Sequence, residues 1–224
     1  LRHYATDRFA CSVLAGKWMY GSSPCLVMHN SISVEAYRFD RAVRRQIRAE
    51  LQAEKEKIIL HVGRLVPVKN HKWMLQLAET MKEDRVKFYF AGDGELRSLL
   101  EEEVREKGLQ ERVVFLGQRS DIGGLMAAAD VLLLPSQFEG FPVTLVEAQC
   151  SGLPCIASAS VTEEVNLGLV EFLSFDLCRW RERILGLFCS DCAREQAYRQ
   201  VEQAGYSAGK GAQVMLQYYH DRLG

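Results

Sequence analysis

Short apolar runs and amphipathic stretches alternate along most of the chain. The β-branched and aromatic runs Ile58–Val62, Val86–Ala91, Val113–Leu116, Val131–Leu134, Pro154–Ala157 and Leu169–Leu173 predict strands. Between them, His71–Lys82, Glu95–Lys107, Asp121–Ala128, Pro142–Ser151 and Thr162–Leu167 carry helical spacing. Strand and helix in regular alternation predict an α/β fold, a doubly wound parallel sheet with helices on both faces. The unbroken run Val131-Leu132-Leu133-Leu134 fits a strand buried on both sides.

The flanks read differently. Asp7–Tyr20 predicts a helix, Cys25–Met28 a short strand, His29–Asp40 a polar linker and Arg41–Lys57 a charged amphipathic helix. Past Asp176, helices are predicted over Leu177–Phe188, Cys192–Gln203 and Ser207–Leu223. Arg41, Arg44, Arg45 and Arg48 lack interleaved aromatics and read as a solvated face, and the net charge of −1 gives no pull toward nucleic acid. No stretch approaches the roughly 20 apolar residues of a membrane span. The seven cysteines are an odd set, and Cys189 and Cys192 have CxxC spacing without the second pair a zinc site would want. Reduced thiols and no visible secretory signal imply a cytoplasmic location, and an opening on Leu1 suggests part of a longer protein.

In open parallel sheets ligands bind beyond the carboxyl ends of the strands, so the strand-to-helix loops carry the candidate chemistry. The first is Ser136–Glu147. Pro142 suits the first position of a helix, Gly140 allows close backbone approach, and the N–H groups of Val143 and Thr144 offer an anion site at the helix start. Glu139 and Glu147 bracket that start. On one helix their Cα atoms would stand about 12 Å apart, too far to favour a hydrolytic pair flanking one bond. Carboxylates accept hydrogen bonds from sugar and ribose hydroxyls; the plain alternative is that Glu139 caps the helix and Glu147 is merely solvated. The second loop, Gly63–His71, places Arg64 and Lys69 where a diphosphate could meet them. Gly92 and Gly94 turn the third tightly, and Gln118 and Arg119 follow the next strand. There is neither a GxGxxG nor a Walker loop. His29, His61, His71 and His220 are scattered and read as structural.

These segments, in this order and spacing, resemble the carboxy-terminal domain of group-one GT-B retaining glycosyltransferases, a Rossmann-like fold. Glu139 and Glu147 match that family's E-x7-E motif, and Leu134-Pro135-Ser136 before it and Ser151-Gly152-Leu153-Pro154 after it resemble the branch acting in bacterial exopolysaccharide and capsule synthesis. The resemblance implies that residues 1–29 are a remnant of the amino-terminal acceptor domain and 30–40 the interdomain linker. Residues 41–205 would be the nucleotide-sugar-binding domain, and 206–224 a terminal helix packing on the acceptor domain.

It further implies roles by position. Arg64 and Lys69, with Gly63, hold the donor diphosphate; Glu139, with Gly140 and the amides after Phe141, meets the donor sugar. Glu147 binds ribose, and the Gln118–Arg119 backbone meets the base. The donor is expected to be a UDP-sugar, with no required metal and no other cofactor. The acceptor is expected to be a saccharide or lipid-linked, with peripheral association of the full enzyme at the inner membrane face. Two departures stand out: Pro142 replaces a common glycine, and Ala159-Ser160-Val161-Thr162-Glu163-Glu164 replaces a glycine-rich stretch. This stretch alone is expected to bind donor weakly and not to turn over. A nucleotide-sugar epimerase, or a non-catalytic nucleotide-binding module on the same fold, are the alternatives.

Overall fold

The computed structural model describes residues 7–188 and 190–223. The chain opens with β1 (Phe9–Ala10), α1 (Val13–Tyr20) and β2 (Leu26–Val27), and β1 and β2 pair in parallel. α2 (Val34–Tyr37) and α3 (Arg41–Glu50) follow, the latter capped by Asp40, whose carboxylate accepts from Ala42 N at 2.6 Å and Val43 N at 3.0 Å. Then come β3 (Lys57–Val62), α4 (His71–Thr80), β4 (Val86–Ala91), α5 (Arg97–Glu106), β5 (Val113–Gly117), α6 (Ile122–Ala128), β6 (Val131–Leu134), α7 (Val143–Cys150), β7 (Cys155–Ser158) and β8 (Val170–Leu173). The chain closes with α8 (Leu177–Gly186), α9 (Asp191–Gln203) and α10 (Ala208–Leu223). No helix among the described residues is long and apolar enough to cross a membrane.

The main sheet is parallel, in the order β5-β4-β3-β6-β7-β8. The chain works outward from β3 to one edge, returns to the centre at β6, and works outward to the other. Strand side chains alternate between two cores. Ile58, Leu60, Tyr89, Leu132 and Leu134 face Ile47, Leu125, Leu145 and Val201 of α3, α6, α7 and α9. Ile59, Phe88, Phe90, Val131 and Leu133 face Met74, Leu100 and Trp180 of α4, α5 and α8. Each fully buried aliphatic side chain contributes about 1.5–3 kcal/mol, so both helical layers are held by the same strands.

Four segments differ from the periodicity reading. The helix expected over Asp7–Tyr20 starts at Ser12, because Phe9–Ala10 pairs with Leu26–Val27 instead. The helix expected to reach Lys57 ends at Glu50: Gln52 turns the chain at φ 50° and Lys57 already pairs with Val86. The expected linker holds α2, whose Val34 is buried and whose Ala36 carbonyl lies where a Cβ on Gly123 would approach to 1.9 Å. Thr162–Leu167 shrinks to a 3-10 turn over Glu163–Val165. Cys189, the first residue of the CxxC spacing, lies outside the described residues.

At the amino-terminal end of the β3–β6 seam sits Asp130. It accepts from Ile58 N at 2.7 Å, Arg44 at 2.6 Å and Arg48 at 3.0 Å. Arg44 also donates to the carbonyls of Ala127, Ala128 and Ala129, so carbonyls left without helical partners at the end of α6 are satisfied by the cation that Asp130 neutralises. Burial alone would push the Asp130 carboxyl up, but the Arg44 and Ile58 hydrogen bonds and the Arg48 charge outweigh it and hold it below the ordinary range. Replacing Asp130 with alanine strands two arginines and one amide. Urea unfolding at pH 7 is expected to show about 3 kcal/mol less stability; a change within experimental error would mean that the seam does not depend on this carboxylate.

Candidate functional site

Because the chain leaves the centre of the sheet in both directions, the connections after β3 and β6 run to opposite edges, the arrangement that sets a crevice between such loops in open parallel sheets. The β3 loop runs through Gly63 and Arg64 to a 3-10 turn at Pro67–Lys69, and Asn70, in the left-handed region at φ 59°, swings the chain into α4. The β6 loop runs from Pro135 to Pro142, which caps α7 rather than opening it. A backbone hydrogen bond, Gln137 N to Val68 O at 2.8 Å, ties the two loops.

Across that tie Lys69 Nζ meets Glu139 Oε1 at 2.5 Å, with side chains 20% and 15% exposed. The Ser136 hydroxyl donates to the same carboxylate oxygen at 2.7 Å, and Ser158 Oγ in turn donates to the Ser136 carbonyl. At such low exposure the Lys69–Glu139 attraction is screened far less than a surface pair would be. A Cβ at Gly63 would stand in ordinary contact with Lys69 Cε at 3.5 Å and press closer on His61 Nε2, at 3.2 Å. Arg64 is exposed and makes no side-chain hydrogen bond or ion pair among the described residues.

The other predicted positions separate into distinct roles. Gly92, at φ 141°, and Gly94 press the β4 loop onto the β3 loop: a Cβ on either would reach Gly63 O at 2.0 Å or Leu65 O at 2.5 Å. Gln118 is exposed just past β5. The Arg119 guanidinium is occupied by Asp121, at 2.7 and 2.6 Å, and by Glu50 at 3.1 Å. Phe141 stacks on His29 with centroids 5.4 Å apart and planes 19° apart. A Cβ on Gly140 would meet nothing within 4 Å. Of the two amides expected to be open at the α7 start, Val143 N donates to Phe141 O at 3.0 Å, because the turn at Pro142 folds back on itself; the Thr144 N–H has no acceptor among the described residues. Glu147 is half-buried against the Tyr37 hydroxyl, and burial raises its carboxyl while the Tyr37 hydrogen bond opposes the rise.

Ser136, Ser158 and Tyr37 carry no local sequence signal as partners, because each acts through a contact with no periodicity. His61 and His71 are scattered in sequence, yet their rings meet edge to face at 4.7 Å. His61 Nδ1 lies 2.9 Å from the Leu133 carbonyl; a carbonyl only accepts, so Nδ1 carries the proton. Both rings are buried, and His61 Nε2 and both nitrogens of His71 have no partner among the described residues. Burial first, against the Leu133 bond and with the Lys69 charge, takes His61 down to about 4; burial, His61 and Lys69 take His71 to about 3.

Residues 43–165 of this chain match the family of glycosyl transferases group 1. The chain belongs to this family. A Bacillus subtilis (strain 168) relative named as a glycosyltransferase, EpsF, is 36% identical, over 96% of this chain and 60% of its own length. The Escherichia coli UDP-Gal:alpha-D-GlcNAc-diphosphoundecaprenol alpha-1,3-galactosyltransferase is 40% identical over 43% of this chain and 26% of its own. Among solved structures, that of Anabaena Alr3699/HepE in complex with UDP and glucose superposes with a TM-score of 0.82 at 20% identity, covering 97% of this chain and 64% of that one. This group 1 chain therefore spans about 60% of the length of EpsF.

Neutral in the fold and protonatable once unfolded, His61 and His71 favour the native state above their ordinary value of 6.5, and that contribution is lost as pH falls from there toward 4. Unfolding free energy is expected to drop by about 1–2 kcal/mol per ring between pH 7 and pH 5. Urea titrations across that range check it: His71→Phe should flatten the slope, and an unchanged slope would place the proton uptake elsewhere.

Proposed function

We propose that the chain is the donor-binding portion of a glycosyltransferase that moves a sugar, with retention, from a UDP-sugar to a saccharide or lipid-linked acceptor in exopolysaccharide or capsule biosynthesis. The observation that carries this reading is the Lys69–Glu139 pair, held at 2.5 Å across the crevice between β3 and β6. A cation and a carboxylate placed there suit the two halves of one ligand, a phosphate and a polyhydroxylated ring. HepE in complex with UDP and glucose, and a relative named for UDP-Gal, support the choice of nucleotide.

The chemistry follows from the residues. Lys69 has three N–H donors, so it can hold Glu139 and still donate to a diphosphate. Arg64, without an ion-pair partner among the described residues, adds a forked donor set from the same loop. As the bond between sugar and phosphate breaks, negative charge grows on the leaving UDP, and these fixed cations stabilise it without reorganising; such preorganised charge is worth several kcal/mol. Because the two side chains supply that charge, no metal is required in this reading. The Thr144 amide, at the positive end of α7, offers a further donor to the same phosphates. Glu139 accepts from donor-sugar hydroxyls, over a Gly140 whose missing side chain leaves open approach. Glu147 accepts from ribose, and the backbone at Gln118 and Arg119 meets the base. The preceding acceptor-binding part, the packing of α10 onto it, and a cytoplasmic position at the inner membrane face belong to the same proposal for the whole protein.

Calorimetric titration with UDP, GDP and ADP tests it. UDP is expected to bind, weakly, and Lys69→Ala, Arg64→Ala and Glu147→Ala are each expected to weaken binding about tenfold or more, or about 1.4 kcal/mol. Absence of nucleotide binding, or affinity unchanged from the unmodified chain in both Arg64→Ala and Glu147→Ala, would refute the assignment.

A further inference from the structure

The loop that carries Glu139 and Phe141 is gripped from outside the sheet by α1. Ser12, fully buried, caps α1: its hydroxyl accepts from Ala15 N at 3.0 Å and donates to the Gly140 carbonyl at 3.1 Å. The next two amides of that helix, Val13 N and Leu14 N, both donate to Glu164, at 3.0 and 3.2 Å, one to each carboxylate oxygen. The segment bearing Glu164 is itself joined to the donor loop, because Val161 bridges Glu139 in parallel. Tyr206 closes the circuit: its hydroxyl donates to the Glu164 carbonyl at 3.3 Å, and its ring lies 5.9 Å from Phe141.

Little apolar burial holds α1 in place. Val13, Leu14, Trp18 and Met19 are 48%, 41%, 83% and 41% exposed, and Gly16 is the buried residue of the helix. Its attachment to the donor loop therefore rests on polar contacts at its first turn. A carboxylate at a helix N-terminus is well placed for this, since it satisfies unpaired amides and complements the dipole. Glu164 falls in the stretch that departs from the glycine-rich pattern of the family.

We infer that Glu164 and Ser12 are positioning residues for donor-sugar recognition: Glu164 clamps the start of α1, and through it Ser12 fixes the Gly140 carbonyl and thus the Glu139–Phe141 loop. This rests on the reading of that loop as the donor-sugar contact. Neither residue touches donor, and the clamp makes the conformation of the loop depend on α1 and on whatever chain precedes it.

The test uses the whole chain with Glu164→Ala, Glu164→Gln and Ser12→Ala, probed by UDP-glucose, UMP and amide hydrogen exchange. UDP-glucose affinity is expected to fall about fivefold to tenfold in Glu164→Ala and Ser12→Ala. Glu164→Gln, which keeps one acceptor oxygen, should fall between Glu164→Ala and the unmodified chain. UMP affinity should stay within about twofold, because its ribose and base meet Glu147 and the backbone beyond β5 and its phosphate meets Arg64 and Lys69 on the β3 loop; a general loosening of the fold would move both ligands together and overturn the inference. Exchange at residues 13–15 and 139–144 should quicken together in Glu164→Ala. If the unmodified chain binds no UDP-glucose, the donor-site reading fails, and exchange alone decides the clamp: unchanged exchange at 139–144 overturns it, and faster exchange there upholds it.

Discussion

Everything at the site depends on one constraint of the sheet: β3 and β6 are neighbours although some seventy residues of chain separate their loops. A parallel pair whose connections run to opposite edges must open a crevice above its carboxyl ends, because no helix crosses over it. Asp130 secures the seam from below and Lys69 with Glu139 bridges it from above. The first is a structural neutralisation; the second sets a cation and a carboxylate at the carboxyl end of the sheet.

Charge is partitioned so that few cations on the crevice loops stand without a protein partner. Arg44 and Arg48 are engaged by Asp130 and the carbonyls ending α6, Arg119 by Asp121 and Glu50, and Arg194 by the Ser151, Ala129 and Met126 carbonyls. Among the basic residues of the crevice loops, Arg64 stands clear and Lys69 shares itself with Glu139. Helix starts divide in the same way. The first turn of α1 is filled by Ser12 and Glu164, whereas that of α7 keeps the Thr144 amide open. A filled start anchors protein to protein, and an open one can anchor an anion.

Legibility followed burial. β3, β4 and β6 were readable because both of their faces are covered, which makes their apolar runs continuous, and the loops after them were readable because strand ends mark them. Elements formed by distant contacts were not. Phe9–Ala10 reads as helix until Leu26–Val27 pairs with it, and Val34–Tyr37 becomes helical where α6 presents Gly123 to its backbone. His61 and His71 flank one loop, and nothing in their spacing says that a strand and a helix will bring the rings together.

Taken alone, the order of residues determined the alternation of strand and helix, the loops that hold Arg64, Lys69, Glu139 and Glu147, and the match to a family motif. Tertiary structure decided which loops are neighbours, that Lys69 meets Glu139, that the Val143 amide is consumed by Phe141, and that Glu164 holds α1. The division has a physical cause. Local pattern reports which faces a segment must bury, whereas side-chain pairing across a crevice is set by strand order, which emerges only when every segment packs at once.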